Sequence, residues 1–159
     1  MSFKWDFEPP PESTLGDREV TLESNHLKSK RIALLVTGSI AAMKAPLIAR
    51  TLRRQGAEVV AFVSPEALRY TTIDALEWST INPVITKLTA NAEHLSDDYP
   101  FGAYLVAPAT YNTINKMSLG IADGVITSTL GSAIGRMEQC KTEILIAPTM
   151  HGSLHNSIL

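Results

Sequence analysis

The sequence predicts an α/β protein with three layers, built on a doubly wound parallel sheet. Short and almost continuously apolar runs, such as Arg31–Thr37 and Ala103–Ala107, are typical of parallel strands that are buried on both faces. These runs alternate with segments that have helical periodicity, and such alternation favours a parallel sheet covered by helices. A chain of 159 residues is long enough to bury the core of one such domain.

The first half of the chain holds two predicted strand–helix units. The first strand is predicted at 31–37, where an apolar run follows a basic residue. After a loop at 38–41, apolar residues recur at helical spacing to about residue 55, and Pro46 is tolerated only in the first turn of that helix. The second strand is predicted at 58–63. Ser64 and the proline after it then predict the N-cap and first position of a compact helix.

The second half of the chain predicts further alternation of helices and strands. Apolar runs that end in proline indicate two of these strands, and Gly120 ends the helix that precedes it. The predicted elements are a short helix at 71–80, a short strand at 83–86, a strand at 103–107, a helix at 114–119, a helix at 121–133 and a strand at 142–147.

Three predicted strands end in polar loops, at Gly38-Ser39, at Ser64 and at Thr110–Thr113. In open α/β sheets, ligands bind beyond the carboxyl ends of the strands. Gly38 allows the backbone to approach a ligand closely, and the N–H groups of a helix start favour a phosphate. Asn112 and Thr113 could bond a heterocycle or a phosphate. Each loop alone is better explained as a turn or helix cap, but together they predict one composite ligand site.

The composition predicts which partners and compartments this protein does not use. The chain carries 14 Lys and Arg against 16 Asp and Glu, so its net charge of −2 favours neither nucleic acid nor an anionic membrane surface. No apolar run reaches the roughly 18 residues of a membrane span. The single cysteine, Cys140, cannot form an intramolecular disulfide. We therefore expect a cytoplasmic protein without nucleic-acid or membrane partners, and we predict no metal site.

Several motifs of this sequence resemble those of one known family. Residues 38–44 read Gly-Ser-Ile-Ala-Ala-Met-Lys, residues 108–113 read Pro-Ala-Thr-Tyr-Asn-Thr, and Gly120-Ile121-Ala122-Asp123 and Ser128-Thr129 follow. They resemble the motifs of the FMN-dependent cysteine decarboxylases, the flavoprotein family that includes phosphopantothenoylcysteine decarboxylase and the enzymes that decarboxylate the C-terminal cysteine of lantibiotic precursors. The two longer motifs differ from the family pattern at Met43 and Tyr111. The resemblance covers about residues 30–158.

The resemblance implies a flavodoxin-like or Rossmann-like fold, a non-covalent FMN, and a homotrimer or higher homo-oligomer with the flavin at a subunit interface. It also implies a small-molecule or peptide substrate that carries a carboxylate. We expect residues 30–159 to form the flavin-binding domain and residues 1–29 a flexible or partner-docked arm, with Phe3, Trp5 and Phe7 as possible anchors. The implied FMN-binding residues are Gly38, Ser39, Ile40, Ser64, Pro108, Ala109, Thr110, Asn112, Thr113 and Ser128.

The resemblance also implies a reaction and two catalytic residues. The family oxidises a cysteine thiol on the flavin to a thioaldehyde, which makes the neighbouring carboxylate a good leaving group. His94 stands in the Glu-His-Leu-Ser context where the family has its histidine base. His151 stands where the family has the carboxylate-binding asparagine of Pro-x-Met-Asn, and a neutral imidazole offers one donor where an amide offers two.

Three functions remain open at the level of the sequence. The first is an FMN-dependent decarboxylase with His94 as base and His151 as the substrate contact. The second is a flavin-binding redox or regulatory subunit that does not decarboxylate. The altered residue His151 favours it, as does our expectation that the family's substrate flap, which follows the last strand, is absent from this chain. The third is a flavin prenyltransferase, which the Ser-Ile-Ala of the first loop disfavours.

Overall fold

The computed structural model describes residues 7–9, 12–95, 99–139 and 141–156. Strands and helices alternate along this part of the chain. The strands are β1 (Arg31–Val36), β2 (Glu58–Val63), β3 (Ala103–Ala109) and β4 (Glu143–Pro148). The α-helices are α1 (Ala45–Arg54), α2 (Ile73–Thr80), α3 (Tyr111–Ser118), α4 (Val125–Glu138) and α5 (Gly152–His155), and short 3-10 helices span Ile40–Lys44 and Pro65–Arg69.

The four described strands form one parallel sheet in the order β2-β1-β3-β4. In its centre Leu34 of β1 lies opposite Ala61 of β2 on one side and Leu105 of β3 on the other. The order runs outward from β1 in both directions, so the topological switch point lies between β1 and β3. The predicted doubly wound parallel sheet is thereby confirmed, and the crevice at its switch point is where such folds bind ligands.

The two faces of the sheet bury separate cores, which makes the molecule three layers thick. Successive side chains of a strand point to opposite faces. Leu34 therefore packs with Ala49 of α1 and Leu76 of α2, whereas Leu35 packs on the other face with Leu130 of α4. Both leucines of β1 are fully buried. The continuous apolar run in the sequence reflects this burial on both faces.

Several predicted elements differ from the structure in kind or in bounds. The strand predicted at 103–107 continues to Ala109, and the helix predicted at 114–119 begins earlier, at Tyr111. At 83–86 there is no strand but a single parallel bridge between Ile85 and Phe62. Pro83 has no N–H for a longer ladder, and the chain turns away after Ile85. The helix predicted at 121–133 is α4, which begins at Val125. Its start is delayed because the Thr127 Oγ1 accepts from the backbone N–H groups of Asp123 and Gly124, both at 3.0 Å, and holds them outside the helix.

The segment before β1 lies along the carboxyl end of α1. The backbone N–H of Glu23 donates to the carbonyl of Arg54 at 2.8 Å, and that of Leu27 donates to the carbonyl of Gln55 at 2.9 Å. These bonds satisfy carbonyl groups that a helix end leaves without partners. Phe3, Trp5 and Cys140 lie outside the described residues. Among the described helices, none has the length and apolar character needed to cross a membrane.

Leu34→Ala tests the central position of β1. We expect it to lower the free energy of unfolding by about 2–5 kcal/mol, because it removes a fully buried side chain from the core between the sheet and α1. Leu22→Ala is the control, since Leu22 is 60% exposed and should change stability by less than about 0.5 kcal/mol. Denaturant unfolding of both variants measures the difference, and equal effects would contradict this account of the core.

Candidate ligand-binding site at the carboxyl edge of the sheet

A cavity of about 840 Å³ opens at the carboxyl edge of the sheet. The loops after β1, β2 and β3 form one part of its wall, and the start of α4 and residues 86–88 form the rest. The carboxyl ends of parallel strands meet at one edge, so three separate loops of the sequence become neighbours here. Its volume is within the range of pockets that enclose small molecules and cofactors.

The cavity brings together most, but not all, of the residues predicted from the sequence. The predicted residues that line it are Gly38, Ser64, Thr110, Asn112, Thr113 and Ser128. Ser39 and Ile40 after β1, and Pro108 and Ala109 at the end of β3, do not line the cavity. Their assignment to a ligand stays a prediction, as it does for the residues in the wall.

Three hydroxyl groups of the predicted site residues cap the starts of helices. The Oγ atoms of Ser39 and Ser64 each accept a backbone N–H two or three residues further on, at 3.3 Å. Thr110 Oγ1 accepts from the N–H of Thr113 at 3.4 Å and starts α3 in the same way. A hydroxyl that accepts keeps its own proton for donation. The caps therefore place hydroxyl donors and helix N-termini along one edge, an environment that favours an anionic group.

Gly38 is required by the packing of the chain against itself. A Cβ atom at this position would lie 2.4 Å from the Cβ of Glu66, and even the backbone of Glu66 would be within van der Waals distance. The close approach that the sequence predicts for Gly38 is thus an approach of the first loop to the 3-10 helix Pro65–Arg69. The glycine keeps the first and second loops in contact, and this contact forms one corner of the cavity.

The wall also contains charged residues that the sequence analysis did not select. Lys116 Nζ donates to Asp123 Oδ2 at 2.6 Å, and Asp123 Oδ1 accepts from Thr127 Oγ1 at 3.1 Å. The hydrogen bond from Lys116 is the main reason why the pKa of Asp123 is lowered from its ordinary value. Glu66 and Lys87 line the same cavity. Helical spacing is the sequence signal that could have identified Lys116, because residues four apart, such as Asn112 and Lys116, share a helix face.

The two predicted catalytic histidines do not line this cavity. His94 is half-buried, and its Nδ1 atom has no hydrogen-bond partner among the described residues. The next residue, Leu95, accepts a bond at 2.9 Å from Arg136. Arg136 lies near the end of α4, whereas the start of that helix forms the wall of the cavity. More than two helical turns, about 12 Å along the helix axis, separate Arg136 from Ser128, the last residue of α4 in the cavity wall.

His151 lies at the carboxyl edge, just after β4. The neighbouring Thr149 donates its backbone N–H to the carbonyl of Ala109 at 2.9 Å, which joins this segment to the end of β3. His151 Nδ1 accepts the backbone N–H of Ser153 at 3.2 Å and caps α5. A nitrogen that accepts this bond carries no proton, so the neutral ring has its single N–H at Nε2.

The fold and the cavity define a flavodoxin-like α/β protein with a ligand pocket at its topological switch point. The chain belongs to the Flavoprotein family, whose model matches residues 20–159. A coenzyme A biosynthesis bifunctional protein CoaBC from Thermococcus kodakarensis is 39% identical over 138 residues, which cover 84% of this chain and 33% of that protein. The chain thus spans about a third of the length of this relative.

Two further proteins are similar to this chain. A probable phosphopantothenoylcysteine decarboxylase from Streptococcus mutans is 30% identical over 105 residues, which cover 63% of this chain and 59% of that protein. The crystal structure of the FMN-dependent cysteine decarboxylase SpaF superposes with a TM-score of 0.71 at 24% identity, covering 83% of this chain and 75% of that one. This structural likeness agrees with the α/β fold.

Gly38→Ala tests the contact between the first two loops. We expect a loss of about 1–3 kcal/mol in the free energy of unfolding, because the new methyl group would collide with Glu66. Gly131→Ala in α4 is the matched control, since open space surrounds it, and alanine should stabilise the helix by up to about 1 kcal/mol. Thermal or denaturant unfolding separates the two. A Gly38→Ala protein as stable as the wild type would show that this corner is not tightly packed.

Proposed function

We propose that this protein binds FMN in the cavity and catalyses the oxidative decarboxylation of a cysteine-type carboxylate substrate, with His94 as base. The observation that carries the proposal is the convergence of the two family-type motifs on one cavity. Gly38 comes from the first motif, and Thr110, Asn112 and Thr113 from the second. The name of the Streptococcus relative, a probable phosphopantothenoylcysteine decarboxylase, supports a substrate of this class.

The residues of the cavity fit FMN in size and in chemistry. A volume of about 840 Å³ accommodates a flavin and leaves space for part of a second molecule. The phosphate would find donors in the hydroxyl groups and helix starts of the first three loops. Asn112 is exposed and makes no side-chain hydrogen bond among the described residues, so its amide is available to a flavin heteroatom.

When bound, FMN would accept the two electrons of thiol oxidation, after which the adjacent carboxylate leaves as carbon dioxide. His94 would take the proton released from the substrate and so act as general base. Its Nδ1 atom is buried and has no partner among the described residues, so it could accept a hydrogen bond or proton if a ligand or a second subunit came near.

The position of His94 supports a homotrimer or higher homo-oligomer, with the flavin at a subunit interface. His94 lies towards the far end of α4 from the cavity of its own chain, so it would act on the flavin of a neighbouring subunit. An apolar stripe beside the first loop offers a contact surface. Ile40, Met43 and Leu47 recur at helical spacing and are 67%, 61% and 64% exposed. We place this assembly in the cytoplasm.

A second candidate is a flavin-binding redox or regulatory subunit that does not decarboxylate. His151 favours it. With Nδ1 used to cap α5, the neutral ring has one donor, at Nε2, for a substrate carboxylate. A carboxylate held by one donor is less constrained than one held by an amide with two. Both candidates bind FMN in the same cavity, and they differ in turnover.

Asn112→Trp tests the flavin site. We expect the wild-type protein to show the visible absorbance of bound FMN and the variant to bind FMN at least about tenfold more weakly, because the indole would occupy space in the cavity wall that the flavin needs. Asn91→Trp is the control on an exposed position outside the cavity wall. Titration followed by flavin fluorescence gives both affinities. A wild-type protein that binds no FMN after reconstitution would overturn the proposed function.

His94→Asn tests the catalytic proposal with phosphopantothenoylcysteine or a cysteine-terminated peptide under anaerobic conditions. We expect the wild type to release carbon dioxide, and the variant to retain FMN while losing about 100-fold or more in turnover. The His94→Asn and Asn112→Trp proteins can be unfolded, mixed and refolded together. If His94 acts across an interface, the mixed oligomers should recover part of the activity. A wild type that binds FMN without turnover would favour the second candidate, and unchanged turnover in the variant would remove His94 from the mechanism.

A further inference from the structure

The carboxyl edge of the sheet is joined by backbone hydrogen bonds at two places and by a side chain at a third. The N–H of Ser64 donates to the carbonyl of Val36 at 3.0 Å, which joins the second loop to β1. The N–H of Thr149 donates to the carbonyl of Ala109 at 2.9 Å, which joins the segment after β4 to β3. Between β1 and β3 the paired register ends at Leu35 and Val106, because the strands separate at the switch point.

Thr37 spans the gap where β1 and β3 separate. Its hydroxyl donates to the carbonyl of Pro108 at 2.7 Å and accepts the backbone N–H of Thr110 at 3.1 Å. The residue is 2% exposed, so water cannot easily replace either bond. Pro108 has no N–H of its own to extend the strand ladder at this point. One side chain thus holds two backbone groups, one in the last residues of β3 and one in the N-cap of α3, to the end of β1.

We propose that Thr37 is a positioning residue for the ligand in the cavity. It fixes the end of β3 and the N-cap Thr110, from which α3 and its Asn112 begin, beside Gly38, which directly follows Thr37. Without the hydroxyl, the carbonyl of Pro108 and the N–H of Thr110 would lose their partner, and the junction between β3 and α3 would move to find another. The identity of the ligand as FMN rests on the proposed function, whereas the link between the loops does not.

The dissociation constant for FMN tests this role in four proteins. We expect Thr37→Val to raise it about tenfold or more, and Thr37→Ser, which keeps the hydroxyl, to stay within about threefold of the wild type. Thr80→Val is the matched control. Thr80 is also 2% exposed, and its hydroxyl donates to the carbonyl of Leu76 at 2.8 Å at the end of α2, away from the cavity. Thr80→Val should lower the free energy of unfolding without raising the dissociation constant for FMN.

Amide hydrogen exchange provides a second readout that needs no ligand. In the unliganded wild type and in Thr37→Ser, the N–H of Thr110 should exchange slowly, and in Thr37→Val at least about tenfold faster. If Thr37→Val does not fold, the wild type and Thr37→Ser still decide the matter, since fast exchange of Thr110 in either would overturn the proposal. Equal FMN affinity in Thr37→Val and Thr80→Val would also overturn it. Absent FMN binding in the wild type would refute the proposed function alone, and the exchange rates would still test Thr37.

Discussion

Burial of β1 on both faces, with a paired strand on each side, determines where the other elements lie. A strand in this position must be apolar along its whole length, and its two sets of side chains must meet helices on opposite faces. The helices that follow β1 and β2 cover one face, and those that follow β3 cover the other. The first and third loops are consequently brought together at the point where β1 and β3 separate, and the cavity exists because they separate.

The same chemistry serves the fold and the cavity. Ser39, Ser64 and Thr110 begin helices by accepting backbone N–H groups, and two of the three also line the cavity. A cap and a ligand contact are therefore compatible roles for one hydroxyl, since acceptance uses a lone pair and donation uses the proton. A position of this kind can therefore meet a local structural requirement and still donate to a ligand, so neither role can be inferred by excluding the other.

The strands and the polar loops could be predicted from the sequence because they depend on local patterns. Apolar runs, a serine before a proline and a glycine after a helix each carry their meaning within a few residues. The bond from Thr37 to Pro108 could not be predicted, since it joins positions 71 residues apart. Lys116 could have been suspected from its helical spacing with Asn112, but its ion pair with Asp123, which lies outside α3, depends on the fold. The absence of His94 from the cavity wall depends on the path of the segment before β3, which no motif encodes.

The bonds from the segment before β1 to the end of α1 bear on where the folding unit begins. Glu23 and Leu27 supply N–H groups to the last carbonyls of α1, and Arg53 of that helix donates to the carbonyl of Arg18 at 3.0 Å. A recombinant fragment cut immediately before β1 would expose those helix carbonyls and remove a partner of Arg53. The hydrogen-bonded part of the domain thus extends back at least to Arg18, well before the first strand, and truncation studies of this protein need to respect that boundary.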